Sequence, residues 1–272
     1  MDQKLASLMD AYWKDFVEKK DESFVVKPSI PIIWFGDMKA YRKSKRKIVT
    51  VAINPSKVEF KEKPKSKQYT FCRFQNGEKL CQKDELTADD KELLYASLNS
   101  YFKDNPYKRW FDAFEKPLNC LDATYYSGKE YESTAIHIDI KSAIASDPTW
   151  GSLRKKEKAK LENDSLFQEL LEYLKPNIIL YSKDMNTFKK IFDRDIKEDA
   201  NDYFKDEKKK KGEKEQTIYI ATHHVTIRDE NILIIAGRNM RGTPFGGFTP
   251  GFIEEKFGEI KSKPQYQFAF QK

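Results

Sequence analysis

Asn54 stands where the apolar run Lys47-Ile48-Val49-Thr50-Val51-Ala52-Ile53 meets Pro55-Ser56. Proline lacks an N–H and drives the residue before it into extended geometry. The spacing therefore predicts that Asn54 closes a strand and offers its amide at the strand's carboxyl end, the end at which open α/β sheets bind ligands. A plain turn accounts for the tripeptide as well, because Asn, Pro and Ser dominate turns for local reasons. The second residue able to do chemistry is Asp139, in the run Thr134-Ala135-Ile136-His137-Ile138-Asp139-Ile140. A carboxyl group between two isoleucines of a strand must be paired, protonated or functional. Capping a turn and pairing with Lys141 are the structural alternatives. His137 lies two residues earlier and shares its face; a core histidine with a satisfied hydrogen bond describes it better than a metal ligand.

These residues need a sheet to hold them, and the period of the apolar residues supplies one. Leu5, Leu8, Met9, Tyr12, Trp13 and Phe16 recur at helical spacing over residues 4–19. A Pro-broken extended stretch from Pro28 to Phe35 follows, ending in the Gly36-Asp37 turn. The β-branched run after Lys47 is the central strand. Residues 57–83 carry many lysines with Phe60, Tyr69, Phe71 and Phe74 at no clear period, which describes a long loop with short strands at most. Thr87 caps a helix bearing Leu93, Leu94, Leu98, Tyr101 and Phe102, stopped at Asn105-Pro106. Trp110, Phe111 and Phe114 follow, and most of these aromatics are expected in the core.

Further strands are expected over 134–140 and 177–181, with a helix carrying Leu166, Phe167, Leu170, Leu171 and Leu174 between them and Phe188 and Ile191 on the next. Two more cover 217–227 and 231–236. The charge run over 205–215 describes a mobile loop. This alternation implies an α/β fold, a short, mostly parallel central sheet with helices on both faces and long loop insertions, in one domain spanning 1–272.

The 50 Lys+Arg against 43 Asp+Glu give a net charge of +7, which favours an anionic partner, nucleic acid before a membrane surface. The basic cluster Lys39, Arg42, Lys43, Lys45, Arg46 and Lys47 is either a solvated loop or a phosphate contact. Cys72, Cys81 and Cys120 lack the paired short spacings of a zinc or iron–sulfur site, and His223-His224 point to opposite strand faces, so no metal is expected. No apolar run approaches the roughly 20 residues that cross a bilayer. A cytoplasmic protein with reduced thiols is the expectation, with no membrane association and no obligate protein partner.

The pattern resembles the uracil-DNA glycosylase superfamily. Ala52-Ile53-Asn54-Pro55-Ser56 is similar to the Gly-x-Asn-Pro-Gly/Ser motif after the first core strand in its mismatch-specific and thymine-DNA branches. Asp139 falls where that family places its base-reading residue, usually Asn. Gly237 to Gly242 is similar in placement to the loop that wedges into the duplex. The resemblance spans about residues 47–250, with Ala52 in place of the usual Gly, no His-Pro-Ser wedge and no four-cysteine cluster. It implies a short parallel sheet between helices and a monofunctional DNA glycosylase with no cofactor. Asn54 then aims water at the sugar, by positioning, since an amide does not ionise usefully. Ile53, Pro55 and His137 line the base pocket, and Phe71 is the first choice to stack on the flipped base, with Tyr69 or Phe74 as alternatives. Ser56, Lys57, Arg238, Asn239 and Arg241 contact DNA while Met240 fills the gap.

Asp139 alters the expected substrate. An ionised carboxylate only accepts hydrogen bonds, and carboxylates accept from the cytosine amino group. Cytosine or a modified cytosine, as in hypermodified phage DNA, is therefore expected over uracil. Two other classes fit the composition: a non-catalytic nucleic-acid-binding module, which tolerates loss of Asn54, and a metal-dependent nuclease, which needs a carboxylate or histidine cluster that the spacing does not offer.

Overall fold

The alternation of periods is realised in a computed structural model, which describes the chain except residues 64, 129, 183–184, 193–196, 209–215, 228, 238–243, 246–247 and 272. In chain order the first elements are α1 (Gln3–Lys19), α2 (Met38–Lys43), β1 (Ile48–Ala52), α3 (Gly77–Leu80), α4 (Ala88–Asn99), α5 (Tyr101–Asp104) and α6 (Lys108–Asn119). Then come β2 (Ala123–Thr124), β3 (Ser133–Thr134), β4 (Ile136–Asp139), α7 (Lys155–Leu161), α8 (Asp164–Leu174), β5 (Ile178–Tyr181) and α9 (Asn186–Ile191). The chain ends with β6 (Lys197–Lys208), β7 (Gln216–Ile227), β8 (Glu230–Gly237) and α10 (Pro250–Ser262).

The fold is mixed α/β, with a mostly parallel central sheet flanked by helices. Six strands run in the order β4-β1-β5-β8-β7-β6. β1 lies parallel to β5 with Ile48 opposite Ile178, and β5 parallel to β8 with Ile178 opposite Leu233. All five residues of β1 are buried, as a strand covered on both faces requires. β8, β7 and β6 are antiparallel neighbours.

The chain forms two compact units. One comprises Met1–Met38, Ala52–Tyr107 and Ile136–Leu174, the other Lys39–Val51, Lys108–Ala135 and Lys175–Lys272. In the first, α1 buries the six residues that the helical spacing selects. The Asp2 carboxylate accepts from Leu5 N–H at 2.9 Å and so satisfies one of the orphan donors at that helix end. An aromatic file, Phe35, Tyr101, Phe74 and Phe60, runs through the same unit with successive ring centroids 4.8, 5.6 and 5.4 Å apart. In the second unit Phe245 packs edge-on to Phe114 and Phe257. Gly237 is needed there, since a Cβ would come within 2.4 Å of the Phe245 ring.

Several expectations change. Residues 57–83, expected as a loop with short strands at most, hold no strand among the described residues but add a 3-10 turn over Lys57–Phe60 and the short helix α3. Lys205 to Lys208, expected in a mobile loop, belong to β6, and 209–215 lie outside the described residues. Charge hides such a strand from a search for apolar alternation, yet charge is what an edge strand carries to avoid pairing with another chain. The terminal helix α10 was not anticipated, although Thr249-Pro250 marks its start: Thr249 Oγ1 accepts from Phe252 N–H and Pro250 occupies the first turn. The basic cluster before β1 is partly internal. Arg46 is buried and donates to Leu121 O at 2.7 Å, and Lys47 Nζ donates to Arg42 O and Ser44 O. Among the described residues no helix is long and apolar enough to cross a membrane.

The start of α4 carries a reciprocal cap. Thr87 Oγ1 accepts from Asp90 N–H at 3.2 Å and Asp90 Oδ2 accepts from Thr87 N–H at 3.0 Å. Thr87→Ala is expected to lower stability by about 1 kcal/mol. Urea unfolding measures this, and an unchanged midpoint would show that the box is idle.

Candidate active site

The peptide groups after β4 join the strand that carries Asp139 to the segment that leads into Asn54. Ile140 N–H donates to Ala52 O and Lys141 N–H to Ile53 O, both at 2.9 Å. Asp139 immediately precedes, and Asn54 immediately follows, backbone groups that are directly joined. The turn is held from a second side, because Ser56 and Ser146 form an isolated parallel bridge.

Asn54 is half-buried and oriented through its nitrogen. Its Nδ2 donates to Ser146 Oγ at 3.0 Å and to Ile144 O at 3.4 Å. A carbonyl oxygen only accepts, so the amide nitrogen must face Ile144, leaving Oδ1 turned away with no donor among the described residues. An amide fixed by its donor end presents an acceptor that can hold a water molecule by one of its protons.

Asp139 is buried, its side chain 2% exposed, and neither carboxyl oxygen has a hydrogen-bond partner among the described residues. His137 Nε2 lies 3.7 Å from Oδ1, too long for a hydrogen bond. Burial pushes the Asp139 carboxyl above the usual carboxylate range, and His137 pulls the other way without overcoming it. The simple ionised carboxylate of the sequence reading is thus disfavoured at this position. The alternative of pairing with Lys141 is not realised: Lys141 Nζ contacts Asp164 at 2.9 Å and Glu162 at 3.8 Å.

A second acid was missed. Glu59, in the 3-10 turn behind Asn54-Pro55-Ser56, is buried at 3% exposure. Tyr107 N–H donates to Tyr101 Oη at 3.0 Å, and Tyr101 gives its own proton to Glu59 Oε2 at 2.5 Å. Arg73 Nε lies 3.9 Å from the same oxygen. Burial pushes the Glu59 carboxyl up to about 7; the Tyr101 hydrogen bond and the Arg73 charge lower it, and the Asp139 charge raises it further. The signal in the sequence was weak but present, an acid set between Val58 and Phe60.

The remaining candidates separate. Phe71 is half-buried and lies along a groove of about 610 Å³ shared with Thr70, Cys72, Phe74, Asn76 and Gly77. A Cβ on Gly77 would come within 2.1 Å of the Phe71 ring, so glycine is what lets that ring lie flat there. Phe74 is 1% exposed between Phe60 and Tyr101, a core position that corrects its reading as a stacking face. Tyr69 donates its hydroxyl proton to Asp147 Oδ2, and Lys61 Nζ lies 4.9 Å from its ring centroid. Lys57, read as a DNA contact, pairs with Asp147 Oδ1 at 2.6 Å. Burial works against the Asp147 charge, but the Lys57 and Tyr69 hydrogen bonds and the Lys57 and Lys61 charges outweigh it and hold the carboxyl low. Ser56 Oγ accepts from Val58 N–H at 3.2 Å and so caps the 3-10 turn. Ile53 is half-buried, Pro55 is buried, and His137 packs edge-on against Phe35 with centroids 5.3 Å apart. Arg238, Asn239, Met240 and Arg241 lie outside the described residues. Among the described residues no group of three or more His, Cys, Asp or Glu is placed to hold a metal ion.

No protein-family model, curated protein or solved structure matches the chain.

The buried acids make stability depend on pH. Glu59 and Asp139 bind their protons more tightly folded than unfolded, so the stability tied to those protons is complete at low pH and is lost as pH rises through about 7 for Glu59. Asp147 acts oppositely, stabilising above the carboxylate range and losing its contribution on acidification. The urea midpoint is expected to fall between about pH 5 and about pH 8, and Glu59→Gln to flatten that fall. A parent midpoint flat across this window contradicts the assignment.

Proposed function

We propose that this chain is a DNA glycosylase with the fold of the uracil-DNA glycosylase superfamily, hydrolysing the N-glycosidic bond of a flipped base, with a cytosine-type base as substrate. The observation that carries it is the presence of two functions on neighbouring strands: an amide held by its nitrogen at Asn54, just after β1, and a buried carboxyl group with no hydrogen-bond partner among the described residues at Asp139, the last residue of β4. A buried polar group with no partner costs free energy, and native proteins retain such groups where something else completes them. The edge of an extruded base is a suitable complement.

The chemistry follows from these parts. Asn54 Oδ1 accepts a proton of the attacking water and aims its oxygen at C1′ of the sugar, contributing by position rather than by basicity. Asp139 receives the base edge, accepting from an exocyclic amino group. Phe71 offers a half-exposed ring beside the groove on which the extruded base stacks. The net charge of +7 favours the approach of the DNA backbone, and Lys39, Arg42, Lys43 and Lys45 remain exposed for that purpose. A role in repair or in defence against phage carrying modified cytosine fits this substrate class equally.

Base release from duplexes holding uracil, mismatched thymine, cytosine, hydroxymethylcytosine or glucosylated hydroxymethylcytosine tests the reading. A cytosine-type base is expected to appear with the parent, and Asn54→Ala to slow release about 100-fold, the scale set by a lost positioning contact. Asp139→Asn is expected to shift preference toward uracil. Tight DNA binding with no base released from any duplex would instead favour the non-catalytic binding module.

A further inference from the structure

The first unit holds another cavity, of about 370 Å³, walled by the end of α1, the extended stretch after it and the two residues that follow α3. That volume is at the lower end of what small-molecule sites enclose. Phe16 and Val26, both almost fully buried, give it an apolar wall. Ser29 lines it too, 4% exposed, and its hydroxyl has no hydrogen-bond partner among the described residues. A buried hydroxyl without a partner is uncommon in a native protein, and an acceptor atom of a ligand is one way to complete it.

Charge sets the kind of ligand. Lys20 and Lys27 line the cavity against a single acid, Asp21. Lys20 Nζ pairs with Asp84 at 2.7 Å and Lys27 Nζ with Asp21 at 3.3 Å, but the Asp84 and Asp21 side chains are 80% and 91% exposed. Ion pairs so open to water contribute little and exchange readily for another anion. The same wall carries the half-buried thiol of Cys81. Its Sγ accepts from Gln82 Nε2 and donates to Glu78 O, each at 3.5 Å. The other two cysteines have different surroundings. Cys72 Sγ accepts from Arg73 Nη1 at 3.0 Å and shares its groove with Glu62 and Glu78, while burial pushes the Cys120 thiol up.

We propose that this cavity seats a small anionic disulfide and that Cys81 is the residue it thiolates. The step is an exchange. The Cys81 sulfur attacks one sulfur of the bound disulfide as a thiolate, the ligand's S–S bond breaks, and a new S–S bond joins Cys81 to one half. The other half leaves with the electron pair and takes up the proton that Cys81 gave. Cys81 is oxidised and the departing thiol is reduced, with no further reactant. Lys20 and Lys27 hold the ligand's negative groups, Ser29 donates to one of its acceptors and the apolar wall covers its chain. The assignment is independent of the glycosylase reading.

Peptide mass mapping after reaction of the whole protein with oxidised glutathione or with cystamine tests this, since the first disulfide is anionic and the second cationic. Each rate is taken relative to the same cysteine in the urea-unfolded chain. Cys81 is expected to favour oxidised glutathione over cystamine roughly 10-fold, the lower scale of electrostatic focusing in a charged cleft. Lys20→Gln combined with Lys27→Gln is expected to remove that preference, while Cys72 and Cys120, read in the same digest, keep theirs. S-methylglutathione, which cannot exchange, is expected to slow iodoacetamide alkylation at Cys81 alone, and to slow it less in Ser29→Ala. Equal relative rates with the two disulfides at Cys81, or a preference that survives in the double lysine variant, overturn the proposal. So does alkylation of Cys81 that S-methylglutathione leaves unchanged, because the cavity then seats no such ligand.

Discussion

Removing a carboxyl group from water costs more free energy than a single hydrogen bond returns, and one unit of this fold does so at Glu59 and Asp139 beside the candidate site. The two are treated differently. Glu59 is given a hydroxyl donor and a nearby guanidinium, whereas Asp139 has only an imidazole beyond hydrogen-bonding range. The unequal treatment is the physical basis for reading the site as functional. A carboxyl group serving stability alone is either fully paired or replaced by an apolar side chain.

The rest of the site consists of fastenings around that cost. Asn54 is held by Ser146 and Ile144, Ser56 bridges the same segment, and Asp147 gathers Lys57 and Tyr69 from the loop that follows. Each contact is modest and several are partly exposed. Together they fix the turn after β1 against the segment after β4 from several directions, the rigidity that the proposed positioning role of Asn54 requires. The short aromatic spacings from Phe60 to Phe35 give the loop a rigid wall, and Gly77 leaves room for Phe71 beside it.

Much of this was legible in the sequence where pattern and burial coincide. The β-branched run before Asn54 and the isoleucines around Asp139 announce buried strands, and the spacing in α1 picked out its entire apolar face. Glu59 was barely legible, because an acid among many lysines reads as a solvated charge until tertiary packing encloses it. Phe74 and Phe71 look alike at the level of composition, and only their neighbours make one core and the other half-exposed. Arg46 reads as part of a basic patch, yet the carbonyl of Leu121, distant in sequence, draws it inside. β6 is hidden because its charged sequence has no apolar alternation, and α10 is marked by little more than its cap, Thr249-Pro250.

The central claim is that water adds to C1′ of a nucleotide while the strand stays whole. Mass spectrometry of the oligonucleotide strands after a single turnover tests it most directly. The account predicts an unbroken strand lighter by one cytosine-type base and heavier by one hydroxyl group, cleaved only after alkali treatment. A strand cut at phosphate with every base retained would contradict it and assign the chain to the nucleases.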